Sequence, residues 1–204
     1  MTEVNSLIVD KPRRARWMRL PVGRWQRCCA AVVLLSCAFS WAQTSKPSDS
    51  QVEAAYLYNF GKFVTWPSNR AATSYAFYIC VLGKDPFGPI LDETVNGEQI
   101  DGKKVGILRI SRLQEVRSCN ILFVSSSEEK RLPTIIVEAE RVHVLTVSDM
   151  PHFAERGGTI GLVNHNDRIR FEVNRAAAEK CHLGLSSELL KVALRVIGGK
   201  TARN

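Results

Sequence analysis

Four short, almost unbroken apolar runs, at 76–82, 104–110, 120–124 and 142–146, constrain this chain more than anything else in it. A strand with one wet face alternates apolar and polar residues, whereas a strand that is apolar along its length is covered on both sides. Between the runs lie helix-like or turn-rich segments. Ser126 and Glu129 stand in capping-box spacing ahead of a helix to about Glu140, and Pro86 to Val95 holds a short helix after a turn at Gly83. Strand alternating with helix predicts an α/β, single-domain fold on a mostly parallel, doubly wound sheet with helices on both faces.

The flanks complete that pattern. Upstream, Ser50 and Glu53 form another capping box, and Val52, Ala55, Tyr56, Phe60 and Phe63 recur at three- and four-residue steps until Trp66 and Pro67 stop the helix. Leu57, Tyr58 and Val64 widen its buried face. Downstream, Gly157 and Gly158 introduce Thr159 to Val163, and Asn164 to Asp167 lead into Arg168 to Val173. Ile169, Phe171 and Val173 alternate there with Arg168, Arg170 and Glu172, which predicts a C-terminal antiparallel edge hairpin with one charged face. Two helices then close the chain, the second capped by Ser186 with Leu189, Leu190, Ala193, Leu194 and Ile197 inward.

The N-terminus follows other rules. Arg19, Arg24 and Arg27 precede an apolar stretch from Cys28 to Ala42, and Ser40 and Ala42 put small residues before a cut ahead of Gln43, the layout of a signal peptide. A start at Met18 gives such a signal its ordinary length, so Met18 is the expected start. The apolar run falls short of the ~20 residues that a spanning helix needs, so cleavage near Ala42 and export to the periplasm are expected. Cleavage takes seven basic residues from 28 and two acidic ones from 20. The 21 and 18 left give a net charge of +3 in place of +8, with Lys and Arg scattered among acids, which removes the case for nucleic-acid binding. The expected organisation is a signal at 1–42, a flexible leader at 43–50, one domain at 51–198 and a tail at 199–204.

Export also removes Cys28, Cys29 and Cys37, leaving Cys80, Cys119 and Cys181. In the common strand order 2-1-3-4-5, the first and third strands are neighbours. Cys80 and Cys119 lie on those two, about 4.8 Å apart, so they are the expected disulfide. Cys181 reads as a small buried residue.

Catalytic machinery is thin. There is no Cys-x-x-Cys pair, no nucleophile elbow and no metal-binding pair of histidines in sequence; His143, His152, His165 and His182 fall on an expected strand, loop, turn and helix. No catalytic residue, metal or cofactor is expected. The turn Gly83-Lys84-Asp85-Pro86-Phe87-Gly88 lacks the Gly-Lys-Ser/Thr ending of a phosphate loop and reads as a plain turn. Ligands of doubly wound folds bind beyond the carboxyl ends of the strands, which makes Lys84, Ser125, Ser126 and Asp149 the candidates for a small-molecule pocket.

The segments AAYLYNFGKFVTWP (54–67), ICVLGKDPFG (79–88), CNILFVSSSE (119–128), VLTVSDMPHFAERGG (144–158), RFEVNRAAAE (170–179) and LGLSSELLKVALRV (183–196) together resemble the YfiR family. The resemblance runs over nearly the whole exported domain in unchanged order. It implies a bacterial periplasmic regulator without catalysis: the namesake represses an inner-membrane diguanylate cyclase by binding its periplasmic sensor region, and an outer-membrane lipoprotein can sequester it. The family's disulfide position matches Cys80 and Cys119. A second disulfide of some relatives, in the loop before the final hairpin, has no counterpart, because residues 142–172 contain no cysteine.

The leading expectation is therefore a negative regulator that lowers cyclic di-GMP and biofilm formation, with His165, Arg168, Arg170 and Glu172 as candidate contacts for the cyclase. The alternative is a small-molecule sensor acting on a histidine kinase or other membrane receptor, and a third reading makes Cys181 the nucleophile of a thiol enzyme. A homodimer is left open.

Overall fold

The computed structural model describes residues 47–67 and 75–198. The expected signal at 1–42, the first part of the leader and the tail at 199–204 lie outside the described residues.

The first helix, α1 (Asp49–Phe63), begins two residues earlier than its expected cap. Ser48, not Ser50, is the N-cap: its hydroxyl accepts from the Gln51 N–H at 3.3 Å, and the Gln51 side chain accepts from the Ser48 N–H at 2.9 Å. Gln serves the reciprocal half of a capping box as well as Glu does, and Glu53 is thereby released to the buried side of the helix. The chain then forms β1 (Val64–Thr65), β2 (Ala76–Leu82), α2 (Pro89–Val95), β3 (Gln99–Ile100) and β4 (Lys103–Ile110). A 3₁₀ helix (Leu113–Ser118) precedes β5 (Ile121–Val124), and a second (Ser126–Arg131) leads into α3 (Leu132–Arg141). The expected cap at Ser126 is again one residue late, because Ser125 takes that position and accepts from the Ser127 N–H. The rest is β6 (Leu145–Ser148), β7 (Ile160–Asn164), β8 (Ile169–Asn174), α4 (Arg175–Lys180), β9 (Gly184–Leu185), α5 (Ser187–Val192) and β10 (Arg195–Ile197). The fourth apolar run thus pairs from Leu145 onward, since Val142 and His143 are spent closing α3.

Among the described residues eight strands form one sheet in the order β10-β8-β7-β6-β5-β2-β4-β3, and β1 pairs with β9. The five strands β4, β2, β5, β6 and β7 are parallel neighbours, which is the 2-1-3-4-5 order expected from the sequence. Their side chains divide between two cores. Phe77, Ile79, Val81, Ile121, Phe123, Leu145 and Val147 pack under α1, α2, α4 and α5, while Cys80, Leu82, Leu122 and Val124 pack under the 3₁₀ helix at 113–118 and α3. Continuous apolar strands are the cost of covering both faces.

The hairpin is present, turning on Asn166 and Asp167, both at positive φ, and its apolar side points inward as expected. It is not the sheet's edge. β10 lies beyond it, parallel to β8, with Arg195 opposite Glu172 and Ile197 opposite Asn174. The single helix expected from Ser186 to Ile197 ends at Val192 because Ala193 turns extended (φ −61°, ψ 141°), and the β-branched Val196 and Ile197 then pair as a strand. Among the described residues no helix is long and apolar enough to cross a membrane.

Candidate functional site

The carboxyl ends of β2, β5 and β6 carry Lys84, Ser125, Ser126 and Asp149, as the topology requires. The hydroxyl there is consumed locally. Buried Ser125 caps the second 3₁₀ helix and lies 3.2 Å from Ser127 Oγ, which accepts from the Lys84 N–H at 2.9 Å; Ser126 is exposed. Gly83, at φ +91°, allows that crossing, since a Cβ there would collide with Ser127 Oγ and Glu128 Cγ. The following turn is pinned from outside. Arg109 donates to Asp85 at 2.7 Å, to Asp92 at 2.5 Å and to the Gly88 carbonyl at 2.7 Å, while Asp85 accepts from the Phe87 N–H. The arrangement builds a rigid turn.

What the sequence did not single out at these strand ends is Glu53. Its residue is only 8% exposed, and its carboxyl is pushed up to about 7, first by burial and then by Asp149 and Asp49. Asp149 is exposed at the surface, and its carboxyl is pushed up by partial desolvation among its neighbours. The signal was an acid inside an otherwise apolar helical face, masked by reading Glu53 as a capping-box partner.

An apolar groove of about 360 Å³ opens between α1 and α5, lined by Tyr56, Asn59, Phe60, Phe63, Phe171, Glu188, Leu189 and Val192. Its floor is aromatic: the Tyr56 and Phe60 rings stack at 5.7 Å, and Phe171 meets both edge-on at 5.3 and 5.1 Å. Phe63 and Val192 remain 40% and 58% exposed on its rim, and Leu194 and Val196 continue the exposed apolar surface along the sheet edge. Four aromatic residues within eight positions of α1 are more than one buried face uses, which is the sequence signal for this groove.

The candidate contact residues separate into two groups. His165 and Arg168 are exposed at the tip of the hairpin, where their backbones pair at 2.9 and 3.2 Å. Arg170 and Glu172 do not form a free charged edge, because the last strand covers that side: Arg170 donates to the Val192 carbonyl at 3.3 Å, and Glu172 is held by Arg195.

Cys80 and Cys119 form a disulfide with Cα atoms 5.7 Å apart, joining β2 to the residue that closes the first 3₁₀ helix. Cys181 is 2% exposed, and its thiol is pushed up to about 11 by burial, with the Glu140 carboxylate adding to it. A nucleophilic cysteine needs the opposite setting. Two of the histidines fall otherwise than expected. His143 and His182 both sit in turns that end helices, and their rings meet edge-on at 5.0 Å.

A family model described as YfiR/HmsC-like matches residues 50–194. No curated protein matches the chain. Among solved structures, a conserved domain protein from Vibrio cholerae O1 biovar El Tor is 12% identical, with a TM-score of 0.49, over 74% of this chain and 61% of that one. An ABC domain in complex with L-Trp from Streptococcus pneumonia is 13% identical, with a TM-score of 0.48, over 71% of this chain and 60% of that one. The chain spans about three fifths of the length of either.

Proposed function

Because the chain belongs to the YfiR/HmsC-like family, we propose that it is a non-enzymatic repressor that holds an inner-membrane diguanylate cyclase inactive through contact with the cyclase's periplasmic region. The family is one of periplasmic, non-catalytic regulators of cyclic di-GMP signalling, associated with membrane diguanylate cyclases. The match over 50–194 is the observation that carries the reading.

The surface supports contact more than chemistry. The rim of the α1–α5 groove leaves Phe63 and Val192 in water, a cost that soluble surfaces accept mainly where a partner covers it. The exposed hairpin tip, His165 and Arg168, offers a polar contact on the hairpin whose second strand supplies Phe171 to the groove. A signal at 1–42 cleaved near Ala42 would deliver the domain to the compartment where such a cyclase exposes its sensor region, and sequestration by an outer-membrane lipoprotein would release the cyclase. Deleting the gene is expected to raise cellular cyclic di-GMP and biofilm formation, measured by mass spectrometry of nucleotide extracts and by surface attachment. Unchanged levels in the deletion strain would sink the reading.

A second reading, a small-molecule sensor acting on a histidine kinase or other receptor, draws on the groove's volume, which falls within the range of ligand sites. Which membrane protein co-purifies with the tagged domain separates the two, a cyclase or a receptor without a cyclase domain.

A further inference from the structure

Two helices that lie far apart in sequence end in the same way and at the same place. α3 closes with the His143 N–H donating to the Glu140 carbonyl at 3.3 Å and the Val144 N–H to the Ala139 carbonyl at 3.0 Å. α4 closes with the His182 N–H on the Glu179 carbonyl at 3.0 Å and the Leu183 N–H on the Ala178 carbonyl at 2.9 Å. Each is a Schellman-type ending, whose left-handed residue is ordinarily glycine. Here both are histidine, at φ +55° and +54°. A side chain at such a position carries a backbone cost that glycine avoids. Lys180, on Glu140 at 3.6 Å, ties the two helix ends together.

The rings that result are 5.0 Å apart, inclined at 68°. His143 is half-buried, its Nδ1 is fully buried, and no protein group hydrogen-bonds to that nitrogen; His182 is exposed. A buried imidazole nitrogen without a partner is costly, and such orphans are rare in folded proteins. Two imidazoles sharing a tetrahedral ion at metal–nitrogen distances near 2 Å hold their ring centres roughly 5 Å apart. Both helices also direct the negative end of their dipoles at this point, which favours a cation.

We propose that His143 and His182 form a two-imidazole binding site for a borderline divalent transition-metal ion of the Zn²⁺ class. An ion seated between the rings gives His143 Nδ1 the partner it lacks and fixes the junction of α3 and α4. Nitrogen donors select Zn²⁺, Cu²⁺ or Ni²⁺ over Mg²⁺ or Ca²⁺. Among the described residues no three His, Cys, Asp or Glu side chains converge as ligands, so water fills the remaining positions and the ion exchanges readily. The site stands apart from the α1–α5 groove and does not depend on the cyclase reading.

The test uses the purified, disulfide-intact protein with ZnCl₂ as the probe, read by calorimetry and by the NMR signals of the histidine rings. One ion per chain is expected, with the His143 and His182 ring signals shifting together while those of His152 and His165 stay in place. His143→Asn and His182→Asn, which keep a residue tolerant of the left-handed turn, are each expected to weaken binding by roughly tenfold or more. The ring signals require no variant, so an unfolded mutant does not blunt the test. Ring signals of His143 and His182 that ignore Zn²⁺, or a double Asn variant that binds as tightly as the parent, would overturn the proposal.

Discussion

Arg195 grips Glu172 with two donors, Nε and Nη2, each 3.0 Å from a carboxylate oxygen, so β10 is clamped to β8 by side chains as well as by backbone. The same Nη2 reaches Glu155 at 2.5 Å. A fork meeting a carboxylate in two places is directional in a way that a lysine is not. Arg195→Ala is expected to loosen only this edge: the backbone amides of 195–197 should exchange faster with deuterium while those of β2 and β5 keep their protection. Unaltered exchange at 195–197 would mean that the backbone pairing alone holds the strand.

The disulfide is expected to contribute more than any surface pair. Cys80 and Cys119 are 39 residues apart and both fully buried. Closing a loop of that length stabilises by about 4 kcal/mol in the chain-entropy model. Reduction should therefore lower the melting temperature by roughly 10 °C for a domain of this size. Melting curves with and without reductant check this, and coincident curves would show that the bond constrains little.

The parallel core was legible because its signals are local and redundant. An unbroken apolar run can be satisfied only by cover on both faces, and four of them set in the common 2-1-3-4-5 order put Cys80 beside Cys119. The two cap positions were misread by one or two residues for a single reason: Ser48 and Ser50, and Ser125 and Ser126, offer equivalent hydroxyls, and which one caps depends on where tertiary packing starts the helix. The C-terminal segment failed differently. Residues 186–197 carry a helical periodicity that Leu189 and Leu190 satisfy, but the exposed edge of β8 offers Val196 and Ile197 a ladder that a continued helix would leave unpaired. That competition is invisible in a linear sequence, and it pairs Glu172 with Arg195. The His143–His182 pair and the groove depend on elements more than a hundred residues apart in part, Tyr56 against Phe171, which no short motif reports.

Glu53 gives the fold a defined response to pH. Its carboxyl is raised from 4.5 to about 7, so the folded chain binds a proton that the unfolded chain has already lost between those values. Stability is then greatest below about pH 4.5 as far as this group is concerned, declines as pH rises toward 7, and stays lowered above it. Glu53→Gln, which cannot ionise, should exceed the parent only slightly at pH 5 and by on the order of 2 kcal/mol at pH 8 after solvent screening is discounted. Urea midpoints of both proteins at the two pH values are the measurement. An advantage of equal size at pH 5 and pH 8 would mean that shape, not charge, is what Glu53 costs.

The groove makes the proposed repression testable at two residues. Phe63 and Val192 sit on its rim at 40% and 58% exposure, and neither ends a hydrogen bond with its side chain. Replacing both with Asp puts charge where a partner's apolar side chain would have to desolvate it, while the parent fold loses little because exposed positions tolerate such changes to within about 1 kcal/mol. The Phe63→Asp/Val192→Asp variant is expected to melt close to the parent yet to leave cyclic di-GMP as high as the deletion strain when it replaces the chromosomal copy. Arg168→Ala at the hairpin tip, a screened surface charge, should have the smaller effect. If the rim variant is exported, folded and still represses, the cyclase binds elsewhere and the groove is free for a ligand.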